Sequence, residues 1–86
     1  MPELSRFYGI VIAMYYDEHP PPHFHAIYGS EKAEFVIDPP GLLKGSMSPR
    51  AISLIIEWAW LHRDELLEAW EQREAGRRPR HIEPLR

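Results

Sequence analysis

The side chains most able to do chemistry are concentrated between Asp17 and His25, in the run Asp-Glu-His-Pro-Pro-Pro-His-Phe-His, which holds three of the five histidines. Imidazole is both a metal ligand and the side chain that most readily exchanges a proton near neutral pH, so a cluster of it beside two acids points to metal binding or acid-base chemistry. Three consecutive prolines fix φ near about −65° and favour an extended polyproline spacer between His19 and His23. After Pro22, the text His23-Phe24-His25-Ala26-Ile27-Tyr28 reads as a strand. Its two-residue repeat puts His23 and His25 on one face, about 6–7 Å apart at Cα, close enough to converge on one ion, one phosphate or one partner surface.

As a metal site the stretch offers His23 and His25, completed by His19, by His62 or by a carboxylate from Asp17, Glu18, Glu34 or Asp38. The chain has no cysteine, which removes thiolate ligands and disulfides and leaves a nitrogen and oxygen set suited to zinc, nickel, manganese or iron. No familiar spacing such as His-Glu-x-x-His occurs, and the competing reading is that the imidazoles hydrogen-bond backbone and cap a sheet. For catalysis the candidates are His23, His25 and His62, working as acid-base groups on a phosphodiester with Arg6, Arg50 or Arg63 neutralising the phosphate. There is no glycine-rich phosphate loop and no activated serine or cysteine motif.

The elements that must position these residues can be read in order. Phe7 to Tyr16 is rich in β-branched and aromatic residues and apolar on both faces, which predicts a central first strand with Gly9 as a bulge or a close approach. The second strand, His23 to Tyr28, turns tightly at Gly29-Ser30 into a third, Lys32 to Asp38, which alternates Ala33, Phe35 and Ile37 against polar residues. Leu42 to Gly45 is a short fourth candidate. Ser48-Pro49 is a helix start, and no proline or glycine follows until Gly76. Ala51, Ile52, Ile55, Trp58, Ala59, His62, Leu66, Ala69 and Trp70 form one apolar stripe, with His62 near its centre as a satisfied core histidine or as a third member of the histidine cluster. Ile56, Trp60 and Leu67 lie on a flank, offered to a partner or covered by the tail. An unbroken helix of this length would run about 40 Å, so it either overhangs or breaks near His62-Arg63-Asp64, where Asp64 could cap a second helix; one helix with a kink there is the favoured reading.

At 86 residues this is one domain: a β part over 1–46, a helix over 48–76 and a basic extended tail over 77–86 that lies along the sheet or helix through Ile82 and Leu85. The net charge of −3 argues against nucleic-acid binding by the whole surface. The charge is divided, however. The β part carries three basic side chains against six acidic, whereas the tail carries four arginines against Glu83 alone, a pattern that fits pairing with another protein or a second copy. Trp60, Leu67, Arg77, Arg78 and Arg80 are the partner-binding candidates. No apolar run is long enough to span a membrane and the amino terminus lacks a signal-peptide pattern, so a cytoplasmic location is expected.

Several of these residues together resemble a family of small bacterial proteins catalogued only as domain of unknown function 4160 (DUF4160). They are Ser5-Arg6-Phe7-Tyr8-Gly9-Ile10 with Met14-Tyr15-Tyr16, the run His19-Pro20-Pro21-Pro22-His23-Phe24-His25, Glu57-Trp58-Ala59 with Leu61-His62-Arg63, and Ile82-Glu83-Pro84-Leu85. Pro20 stands where members more often carry another residue. The resemblance implies a bacterial source and a neighbouring gene for a second small protein, in a layout like a toxin-antitoxin pair. The expected fold is α+β: three or four mainly antiparallel strands in consecutive hairpins, crossed by one long helix. The favoured function is a protein-partner interaction module, which the resemblance implies as half of such a pair; the alternative is a histidine-based or metal-dependent enzyme acting on RNA or another phosphodiester.

Overall fold

The computed structural model describes residues 2–86 as five strands followed by two helices: β1 (Glu3–Phe7), β2 (Ile10–Ala13), β3 (His23–Tyr28), β4 (Glu31–Ile37), β5 (Pro40–Gly45), α1 (Pro49–Leu61) and α2 (Arg63–Glu74). The strands form one antiparallel sheet in the order β1-β2-β3-β4-β5, each hydrogen-bonded to its sequence neighbours. The α+β class and the antiparallel sheet agree with the sequence reading. The counts differ, with five strands in place of three or four and two helices in place of one.

The extra strand comes from Tyr8 and Gly9. Their φ angles of 50° and 79° are both positive, the conformation of a two-residue type I′ hairpin, so the expected central strand from Phe7 to Tyr16 is cut to β2, and the residues before the turn form a separate edge strand, β1, paired back on it. Tyrosine rarely adopts that conformation, and Tyr-Gly therefore does not read as a turn from sequence. Gly9 is a turn residue here, not a bulge. Gly29, at φ 60°, opens the β3–β4 hairpin as expected, and the candidate fourth strand is the edge strand β5.

Leu4, Phe7, Ile10, Ile12, Phe24, Ala26, Ala33, Phe35 and Ile37 from the strands meet Ala51, Ile55, Trp58, Ala59, Leu66, Ala69 and Trp70 from the helices in one core. Trp58 is fully buried at its centre, with ring centroids 5.4 Å from Phe7 and 5.9 Å from Phe24, while Phe24 stacks on Phe35 at 5.5 Å. Ser48 caps α1 by accepting from the Ala51 amide, with Pro49 at the first position.

The helical stripe divides at His62, which ends α1 at φ −120° and precedes α2 without capping it through its side chain. Asp64 and Glu65 lie in the first turn of α2, where the exposed amides favour negative charge. Beyond α2, Gly76 at φ 75° donates to the Arg73 carbonyl and Arg77 to that of Gln72, the paired bonds of a Schellman ending. The tail then returns to the core. The Ile82 amide donates to Leu4 O at 2.8 Å, Trp58 Nε1 donates to Glu83 O at 2.8 Å, and Ile82 and Leu85 are buried. None of the helices is long and apolar enough to cross a membrane.

Because the tail completes the core, Ile82→Ala is expected to destabilise the domain by about 2–4 kcal/mol. Urea unfolding measures this directly, and an unchanged midpoint would show that the tail does not pack in solution.

Candidate metal centre

Side chains along a strand alternate between faces, and β3 uses both. Phe24 and Ala26 point into the core. His23 and His25 point the other way, onto the face shared with Ala13 of β2 and Glu34 of β4, which stand opposite His25 in the register. The imidazoles are 5.5 Å apart at their centroids. His25 is held edge-on by the Tyr15 ring at 4.4 Å, and His23 packs against Trp70 of α2 at 5.3 Å.

The proline segment brings the third group. The chain bends at Pro20 and Pro21 where an extended spacer was expected, and this fold-back returns Glu18 to the histidines. One carboxylate oxygen of Glu18, Oε1, accepts a short hydrogen bond from His25 Nε2, and the other, Oε2, lies 3.4 Å from His23 Nε2. Glu34 Oε1 is 3.6 Å from the same His23 nitrogen. Ligand atoms of Glu18, His23 and His25 all fall within 4.8 Å of one another. Donor atoms sharing one zinc ion at about 2.0–2.2 Å would sit about 3.3–3.6 Å apart, so the set is close to a coordinating arrangement.

His23 is the informative member. It is buried, with 5% of its surface exposed. Its Nδ1 is 2.8 Å from the Pro21 carbonyl, an acceptor only, so Nδ1 carries the proton and donates. In the neutral ring this leaves Nε2 with its lone pair. That nitrogen is buried without a hydrogen-bond partner among the described residues, facing two carboxylate oxygens. Lone pairs from three groups directed at one point repel one another unless a proton or a metal ion lies between them. A backbone carbonyl on the far nitrogen is also the usual way a ligating histidine is oriented.

Behind the cluster, Arg73 is buried with its guanidinium 3.9 Å over the Trp70 ring and its Nη1 donating to Tyr16 O at 2.6 Å. This joins α2 to the chain entering the proline segment. A buried arginine on the last turn of an acidic helix is not distinguishable by sequence from a solvated one, so Trp70 and Arg73 had no signal as supports of the site.

The other candidates are placed elsewhere. His19 is exposed and lies outside the ligand group, on the far side of the bend from the strand. His62 does not join the cluster: it sits at the helix junction, its Nδ1 2.6 Å from Glu65 and its ring 5.6 Å from Trp58. It is partly exposed, not the buried centre of a stripe, because the break between helices turns it outward. Asp17 and Asp38 are likewise outside the group. Arg6 is held by Glu3 at 2.8 and 3.2 Å, bonds that also hold the Glu3 carboxyl below its ordinary range. Arg63 lies beside Asp38 at 3.5 Å, and Arg50 lines a separate cleft with Tyr8 and Tyr28. None of the three arginines reaches the histidines. Of the partner candidates, Leu67 packs against the core, whereas Trp60, Arg77, Arg78 and Arg80 are exposed.

The fold and site together define a small α+β domain with a five-stranded meander sheet and a histidine-glutamate cluster on its outer face. Residues 9–71 match the family model described as Domain of unknown function (DUF4160), and the chain belongs to that family. The match includes the whole cluster but neither the opening Ser5-Arg6 nor the closing Ile82 to Leu85. No curated protein and no solved structure matches the chain.

Replacing Arg73 with Met removes a charged hydrogen bond and a cation over an aromatic ring, and is expected to cost about 2–4 kcal/mol. Thermal unfolding tests this; a midpoint equal to that of the wild type would show that α2 is not tied to the proline segment through Arg73.

Proposed function

We propose that the protein binds one divalent transition metal through Glu18, His23 and His25, and that this centre is its working site. The observation that carries the reading is the buried Nε2 of His23, oriented by the Pro21 carbonyl and facing Glu18 and Glu34. Two imidazoles and a carboxylate suit zinc, manganese, iron or nickel. Three protein ligands with a remaining position open to solvent are the pattern of catalytic metal sites, whereas structural sites close all four. Such a metal supplies Lewis-acid polarisation of a bound group and an acidified water. Glu34, next to the ligands, is placed to accept a proton or to provide a fourth ligand. The reading makes this a metal-dependent hydrolytic domain.

The test is metal content and thermal stability of tag-free protein with and without chelator, beside a His23→Ala/His25→Ala variant. One equivalent of metal is expected in the wild type and none in the variant. At free metal about 100 times Kd, mass action stabilises the fold by about 2.7 kcal/mol, which for a domain of this size raises Tm by roughly 10 °C or more. Absence of both effects with zinc, manganese, iron and nickel would leave Glu18 and the histidines as a proton-bridged structural cluster.

A second reading, a module that docks on a protein partner encoded beside it in a toxin-antitoxin-like arrangement, is supported by the outer side of the helix junction. Trp60 and Leu61 are 54% and 66% exposed, and Leu61 and His62 line two clefts of about 380 and 440 Å³. Large apolar side chains beside clefts are the usual anchors of an interface. Trp60→Asp/Leu61→Asp is expected to leave stability within about 0.5 kcal/mol of wild type while abolishing co-purification with the neighbouring gene product. A complex that survives the double change would remove this surface from the interface.

A further inference from the structure

Glu34 stands opposite Lys44 in the β4–β5 register, the position from which a cross-strand ion pair normally forms. It does not form here. The Glu34 carboxylate lies instead 3.6 Å from His23 Nε2, and among the described residues no carboxylate comes within 4 Å of the ammonium of Lys44 or of Lys32. These are the only two lysines of the sequence. Both line one cleft of about 240 Å³ on the outer face of the sheet, together with His25, Glu34, Ala33 and Gly45. The cleft therefore has His25 and Glu34 on its wall together with two exposed lysines that make no ion pair among the described residues. Lys32 and Lys44 are diagonal neighbours on adjacent strands, so like charges face a shared space, an arrangement that an anion between them relieves. Gly45 holds the strand close at this point: a Cβ there would lie 2.6 Å from the Lys32 carbonyl, and φ is 87°.

We infer that Lys32 and Lys44 form the anion subsite of the cluster, receiving the phosphate group of a phosphate ester whose phosphorus then lies beside Glu18, His23 and His25. Lysine binds phosphate as a flexible point charge, and two of them match the dianion of a monoester better than the single charge of a carboxylate or sulfate ester. The arginines that sequence suggested for this role are elsewhere, and the lysines take it. The inference deepens the metal-centre reading and rests on it for the position of the reacting group, while the subsite itself is measurable without metal.

The experiment is calorimetric titration of the full chain with phenyl phosphate, with benzoate and phenyl sulfate as probes of the other anion classes, metal-free and after loading with manganese. Wild-type protein is expected to bind phenyl phosphate at least tenfold more tightly than either control, and more tightly again with metal. Lys32→Gln/Lys44→Gln is expected to weaken phenyl phosphate at least tenfold while metal stoichiometry and Tm stay at wild-type values, and Lys32→Arg/Lys44→Arg to restore most of the affinity. Equal binding by wild type and the glutamine variant, or no preference for phosphate over benzoate and sulfate, overturns the subsite even if metal binds. Lysine-dependent phosphate binding in a protein that takes up no metal supports the subsite and sets the metal reading aside.

Discussion

Phe24 is fully buried between the stacked ring of Phe35 and the edge of Trp58, and this contact fixes the register of β3 against both neighbours. A slip of one residue would exchange the faces of the strand, exposing Phe24 and burying two imidazoles in hydrocarbon. Burying an aromatic ring contributes about 1.5–3 kcal/mol, and an imidazole forced into the core without partners would cost a similar amount or more. The aromatic contact on one side of the sheet therefore holds the histidines in place on the other. Trp58 extends the same restraint to the amino and carboxyl ends, touching Phe7 of β1 and donating to the Glu83 carbonyl of the tail.

The cluster is assembled from three levels of structure. The strand repeat brings His23 and His25 together, and pairing of β3 with β4 adds Glu34. Glu18 arrives only because the chain folds back at the prolines, and that fold-back is held by α2, through Arg73 on the Tyr16 carbonyl and Trp70 against His23. The helix thus does more than cover the sheet. A charge on the guanidinium, buried and bonded to backbone, fixes the segment that carries the carboxylate. Support of this kind from a second layer of residues is what fixes the position of the histidine and glutamate side chains.

Charge on the outer face follows from the same arrangement. Glu18 and Glu34 both lie within 3.6 Å of His23 Nε2, and Glu34 shares a cleft with His25, Lys32 and Lys44. The average charge of the protein, which is negative, conceals this local mixture of charges. Of the eight arginines, Arg6, Arg63 and Arg86 pair with Glu3, Asp38 and Glu83, and Arg73 supports the cluster.

Much of the fold was legible from residues alone, because it depends on local periodicity. The alternation in β3 and β4, the Gly29-Ser30 turn, the Ser48-Pro49 helix start, the Gly76 ending and the burial of Ile82 and Leu85 are each written in a few neighbouring residues. The Tyr8-Gly9 hairpin was not, since tyrosine at positive φ is tolerated only where the strands around it demand it. His62 misled for a related reason: helical spacing places it in the apolar stripe, but the chain breaks there, and spacing carries no information across a break. For the site, sequence determined that His23 and His25 share a face and listed Glu18 and Glu34 among six possible completions. Only the tertiary structure brought Glu18 into one group with His23 and His25 and set Glu34 beside His23, left His19, His62, Asp17 and Asp38 outside, and put the lysines next to Glu34. The selection depends on distances between segments far apart in the chain, set by packing of α2 and pairing of β4, and no local pattern encodes such distances.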